Sequence, residues 1–179
     1  MRRRYPSLRV PAAALGLCLG AALAVPAAQS APGALEGWSG LRFGMTKAEV
    51  LQAAGPTAQS EDTMLSGPVV VWQASVEGQR AQIVAFVPDG RLHAVKIYLP
   101  DIHHETEPQC HARLETVVAD LARQYGSPDE STADHGSGGS LTAWHAIFRF
   151  QNGATITADA DLHDLDFTCT ADLIYDSHK

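Results

Sequence analysis

The order of apolar and polar positions divides the chain into two runs, each opening with a helical pattern and continuing in strand patterns. Thr46 followed three residues later by Glu49 has the form of a capping box, and Gly55-Pro56 supplies a stop, so a short helix is expected between them. Val69 to Val76, Arg80 to Val87 and Leu92 to Leu99 are rich in Val, Ile and aromatic residues and read as strands. Asp89-Gly90 accepts the positive backbone angles of a tight hairpin, which makes the second and third of these strands antiparallel neighbours. From Cys110 to Tyr125, the apolar residues Leu114, Val117, Val118, Leu121 and Ala122 recur at helical spacing, and Gly126 and Pro128 end the pattern. A polar loop is expected from Asp129 to Ser140. Strands follow over Leu141 to Phe150, Ala154 to Asp159 and Phe167 to Tyr175, with Asn152-Gly153 as a second hairpin turn.

Landmarks recur at similar separations in the two runs: Gly55 to Gly126 is 71 residues, and Pro56 to Pro128 and Trp72 to Trp144 are 72 each. The expected fold class is therefore α+β: two tandem pseudo-repeats, about 37–100 and 108–179, each a helix plus a three-stranded antiparallel meander, forming a layer of helices on an antiparallel sheet. Strand alternation assigns the faces. Val70, Trp72, Ala74 and Val76 share one face with Trp144, Ala146, Phe148 and Phe150, and the helices should pack there. The opposite face carries Gln73, Ser75, Lys96, Tyr98, His145, Arg149, Thr155, Thr157, Thr168, Thr170 and Asp172. It is polar without being densely charged, which suits a wet sheet face or one that receives a partner.

The first thirty residues change how the rest is read. Arg2, Arg3, Arg4 and Arg9 precede an apolar run from Val10 to Val25, and Ala28-Gln29-Ser30 is a small-x-small cleavage site, the plan of an export signal. Leu17 before Cys18 does not suit lipid attachment, so a released periplasmic or secreted protein without a stable membrane anchor is expected, one mature domain over 31–179. Without the signal the chain carries nine basic and twenty acidic residues, a net charge of −11, which makes nucleic acid and anionic lipid poor partners. Two cysteines remain, Cys110 and Cys169, and in an oxidising compartment they are expected to pair. Register agrees, because Cys169 shares a face with Phe167, Ala171, Leu173 and Tyr175 and so points toward the helix carrying Cys110. The competing reading makes Cys110 a nucleophile beside His111.

Gly44-Met45-Thr46, then Val50, then Gly55-Pro56, a Trp-bearing strand and a Phe86-x-x-Asp89-Gly90-x-Leu92 hairpin resemble the SmpA/OmlA (BamE-like) family of small envelope proteins, over about Gly37 to Leu99. A tandem pair of such units is also similar to the architecture of beta-lactamase inhibitory protein. Both resemblances imply protein binding in the envelope rather than catalysis. The chain departs from the first in having no usable lipidation cysteine and no second Gly-Met-Thr run.

Other chemistry is thin. His103-His104-Glu105-x-Glu107 with His111 has metal-ligand residue types but no established zinc spacing. Asp159-x-Asp161-x-His163-Asp164-x-Asp166 offers carboxylates for calcium yet lacks the glycine and distal glutamate of an EF-hand. Gly136-Ser137-Gly138-Gly139-Ser140 is not a nucleophile elbow. The reading is a non-enzymatic module without cofactor or metal that binds another envelope protein, through Gln73, Lys96, Tyr98, His145, Arg149, Thr155 and Thr170. A small-ligand or metal-binding envelope protein is the alternative, and a hydrolase of unfamiliar type a further one.

Overall fold

The computed structural model describes residues 33–63, 67–135, 141–163 and 165–177. The expected export signal with Cys18, the glycine-serine segment 136–140 and Asp164 lie outside them. A two-residue ribbon comes first, β1 (Gly37–Trp38) with β2 (Leu41–Arg42), and then α1 (Lys47–Ala54). Four strands follow: β3 (Gln59–Thr63), β4 (Gly67–Val76), β5 (Gln79–Phe86) and β6 (Ala94–Tyr98). After α2 (Glu107–Tyr125) come β7 (Glu130–His135), β8 (Leu141–Arg149), β9 (Thr155–His163) and β10 (Thr168–Asp176). These eight strands form one antiparallel sheet in the order β3-β4-β5-β6-β10-β9-β8-β7.

This overturns the expected fold class. The protein is mostly β, with one continuous eight-stranded sheet and a small ribbon, in place of two helix-plus-three-strand units forming an α+β layer. Besides the short β1–β2 ribbon, the strands that sequence patterning misses are β3 and β7, the latter inside the segment expected to be a polar loop. Both are sheet edges, Gln-Ser-Glu-Asp-Thr and Glu-Ser-Thr-Ala-Asp-His. An edge strand exposes unpaired backbone groups, and charged side chains there discourage pairing with another chain, so the hydrophobic alternation that marks inner strands is absent.

The halves join where β6 meets β10, with Val95 opposite Tyr175 and Ile97 opposite Leu173. On the inner face the core is continuous from Val70 and Trp72 through Ile83 to Ile156, Phe148 and Trp144. Helix α2 lies across β8, β9 and β10, and its Leu114 and Leu121 are buried. His111 stacks on Trp144 at 5.3 Å and Tyr125 meets Phe150 edge-on at 5.4 Å. Helix α1 has less than half the length and packs chiefly on β4. Between the helices the β1–β2 ribbon touches β6 and β10, bringing the Trp38 ring to 6.4 Å from that of Tyr175.

Two local motifs secure these elements. The Thr46 hydroxyl accepts from the Glu49 amide while the Glu49 carboxylate accepts from the Thr46 amide, the capping box read in the sequence. Gly44, at φ 86°, turns the chain so that its amide donates to the Leu92 carbonyl, and the Leu92 amide returns to Met45. The Gly-Met-Thr run is thereby clasped to the β5–β6 hairpin. The Cys110–Cys169 disulfide joins the first turn of α2 to β10 across 59 residues. Closing a loop of that length contributes about 4 kcal/mol on chain-entropy grounds.

Candidate functional site

Register defines the outer face as a set of rows crossing the sheet. One runs Gln73–Gln82–Tyr98–Asp172–Asp159–His145–Thr132, and the next Val71–Val84–Lys96–Ile174–Thr157–Ile147–Glu130. Arg149 and Thr155 stand opposite each other in a third, and Thr170 joins Asp161, Ala143 and Asp134 in a fourth. All seven residues expected on a partner face thus lie on the side away from the helices.

Their electrostatics are unequal between the two halves. In the first half Gln73 faces Gln82, two neutral amides. At the seam Lys96 pairs with Asp172 at 3.0 Å and lies 4.7 Å from the centre of the Tyr98 ring. Burial works against the Lys96 ammonium, but the hydrogen bond and charge of Asp172 outweigh it and hold the lysine above its ordinary value. Asp172 is the more dehydrated partner: burial, together with the like charges of Asp159 and Asp161, keeps its carboxyl above the usual range despite Lys96. Its Oδ1 is buried without a hydrogen-bond partner.

In the second half His145 Nδ1 lies 2.6 Å from Asp159 Oδ1, with Asp134 at 3.9 Å from the other ring nitrogen. The hydrogen bond from Asp159 raises the imidazole above its usual value. Arg149 is engaged within the face by Glu130 at 2.9 Å. Across these rows the acids Asp134, Asp159, Asp161, Asp172, Asp176 and Glu130 outnumber the bases Lys96 and Arg149. The face is acidic around its second half.

Apolar side chains are also exposed toward one end of the central strands. The exposed large apolar side chains among the described residues are Tyr98, Ile102, Leu165 and Phe167, with Leu165 92 % exposed and Phe167 54 %. Tyr98 ends β6, Ile102 bridges to Cys169 at the start of β10, and Leu165 and Phe167 form the β9–β10 turn. Phe167 holds φ at 52° and His104, beside Ile102, at 63°. A left-handed backbone at a bulky side chain costs about 1–2 kcal/mol, strain that concentrates at functional sites. Sequence reading weighed this acidic stretch for calcium, began the last strand at Phe167 on its apolar face, and did not single out Leu165; the structure puts Phe167 in the turn instead. The signal was one apolar residue, Leu165, set between aspartates at a position that no buried face requires.

The metal and nucleophile readings do not assemble. His103 Nδ1 lies 2.8 Å from Thr168 Oγ1, away from any ligand set. Among the described residues the one group of three candidate ligands is Glu105 with Cys110 and Cys169, whose sulfurs are bonded to each other. That bond also leaves Cys110 no thiolate with which to attack. Asp159, Asp161 and His163 stand along a straight strand rather than converging in a loop, and Asp166 accepts from the Thr168 amide.

Comparison with protein families, characterised proteins and solved structures finds no match to this chain. The site is therefore read from its own chemistry. No described helix is long and apolar enough to cross a membrane, and a stable disulfide belongs to an oxidising compartment, which is compatible with a periplasmic or secreted protein.

Proposed function

We propose that this chain is an exported protein-binding module of the envelope, which holds the basic surface of another protein on the outer face of its sheet. One observation carries the reading: a sheet face that no described helix or strand covers presents a field of carboxylates, and the exposed apolar side chains of Tyr98, Leu165 and Phe167 stand at a strand end and a turn of the same sheet. An apolar anchor beside complementary charge is the arrangement of a protein interface, in which the anchor supplies affinity and the charges supply approach and register. The Gly-Met-Thr resemblance to small envelope proteins points the same way. Leu165 and Phe167 are the anchor, Tyr98 and Ile102 extend it, and Asp159, Asp161 and Asp134 meet the partner's cations. Lys96, Gln73, Thr155, Thr170 and the Arg149–Glu130 pair frame the contact.

Photo-crosslinking from within the full chain tests this. A crosslinking residue in place of Leu165 or Tyr98 is expected to trap one basic protein, whereas the same residue in place of Glu115, on the exposed side of α2, traps none. With that partner purified, Leu165→Asp combined with Phe167→Asp should weaken binding by about a hundredfold or more, and wild-type affinity should fall with salt. Equal trapping from Glu115, or no trapping from the outer face, refutes the proposal.

A further inference from the structure

A second site lies on the opposite side of the sheet. The β1–β2 ribbon does not fully close the space beside α2, and a cavity of about 340 Å³ remains there. That volume falls at the lower end of small-molecule sites. Its floor is apolar, with Val117 and Leu121 of α2 and Leu173 of β10. Trp38, Tyr125 and Tyr175 supply three aromatic rings, and Glu77 and Asp120 two carboxyls, while no Lys, Arg or His lines it.

Three independent features make this more than a packing gap. Tyr175, which carries a phenolic hydroxyl, is only 5 % exposed and lines the cavity. Burial, followed by Tyr125 and Glu77, both on the cavity wall, drives that hydroxyl's acidity down, so its oxygen stays protonated and available to a ligand. Second, Glu77 lies against Asp120, so two carboxyls meet on the cavity wall, with Arg123 paired to Asp120 and also near enough to lower Glu77. Third, Glu77 at φ 50° and Ser39 at φ 46°, each followed by a glycine, place non-glycine residues in left-handed turns, and both turns open onto this cavity. Asn or Gly would occupy such positions without that strain.

We propose that this cleft binds a small organic ammonium compound, its cationic head between Glu77 and Asp120 and its apolar body against Leu121, Leu173 and the three rings. Aromatic faces and carboxylates together attract an ammonium head, and among the cavity's lining residues an anion finds no donor of positive charge. Burial and Asp120 raise the Glu77 carboxyl above its usual value, so affinity grows as pH rises through that raised value. The site is independent of the outer face.

Titration calorimetry of the purified chain with 2-phenylethylamine, 2-phenylethanol and phenylacetate decides the matter. The amine is expected to bind about tenfold or more tightly than the neutral alcohol, and the carboxylate not at all. Glu77→Gln should remove that preference, and Tyr175→Phe should weaken the amine about fivefold. Leu165→Asp should leave binding unchanged. Intermolecular Overhauser contacts from the amine's ring to the Val117 and Leu121 methyls provide a readout that needs no variant. Equal affinity for amine and alcohol, an unaltered preference in folded Glu77→Gln, contacts elsewhere, or no heat from any of the three overturns the proposal.

Discussion

The first and second halves of the sheet each supply four strands, but they are covered unequally. Helix α1 runs eight residues and α2 nineteen. The long helix roofs β8, β9 and β10 and is bolted to β10 by the disulfide, while the short one packs chiefly on β4. The central strands are roofed instead by a ribbon of two-residue strands, and a thin ribbon beside a thick helix leaves a cavity at the boundary. Unequal roofing thus creates the cleft. It also concentrates tertiary stability in the second half, and that asymmetry can be broken in stages.

The largest effect is expected from the bolt. Cys110→Ala with Cys169→Ala should lower unfolding free energy by about 4 kcal/mol in a denaturant titration, and hydrogen exchange should rise most along α2 and β10. Uniform exchange across both halves would show that the disulfide does not favour the second. Next come the roofs themselves. Leu114→Ala, in the buried stripe of α2, should cost about 3 kcal/mol. Val50→Ala, the one fully buried position of α1, removes fewer atoms and should cost about 2 kcal/mol. A larger loss at Val50 would make the short helix the keystone. Thr46→Ala then removes the capping box, with an expected loss of about 1 kcal/mol felt chiefly in the clasp between α1 and the β5–β6 hairpin.

How far the sequence disclosed this asymmetry depended on whether a residue's role was local. Both helices, both glycine-containing hairpins and the inner face were legible, since capping, turn chemistry and period-two burial are written in neighbouring residues. So was the disulfide, from a cysteine count after the signal and from the face of Cys169. Edge strands were not legible, because the pressure on β3 and β7 is to repel other chains rather than to bury themselves. The fold class failed on those two strands. The residues expected on a partner face fell on the side away from the helices, but the exposure of Leu165 and Phe167 was not legible, because Phe167 fits the apolar alternation of the last strand while the structure puts it in a turn. The cleft was invisible, since Trp38, Glu77, Asp120 and Tyr175 meet only through the join of β6 to β10.

The smallest expected effect separates the halves by pH. In the same row of the outer face the first half places Gln73 opposite Gln82 and the second His145 opposite Asp159. Only the second pair titrates. The folded state raises His145, chiefly through the Asp159 hydrogen bond, while its exposure, about one third, lets solvent screen the pair. A raised imidazole binds its proton more tightly folded than unfolded. The resulting stability is complete below the unfolded value of about 6.5 and is lost as pH rises through the higher folded value. A melting profile taken upward from pH 6 should therefore slope down in the wild type and less so in His145→Gln, which gives the second half the neutral amide of the first. Asp159→Asn should flatten the same window. A slope that persists in both variants would move the pH dependence to the seam, where Asp172 sits buried beside Lys96, and would remove the electrostatic difference between the two halves.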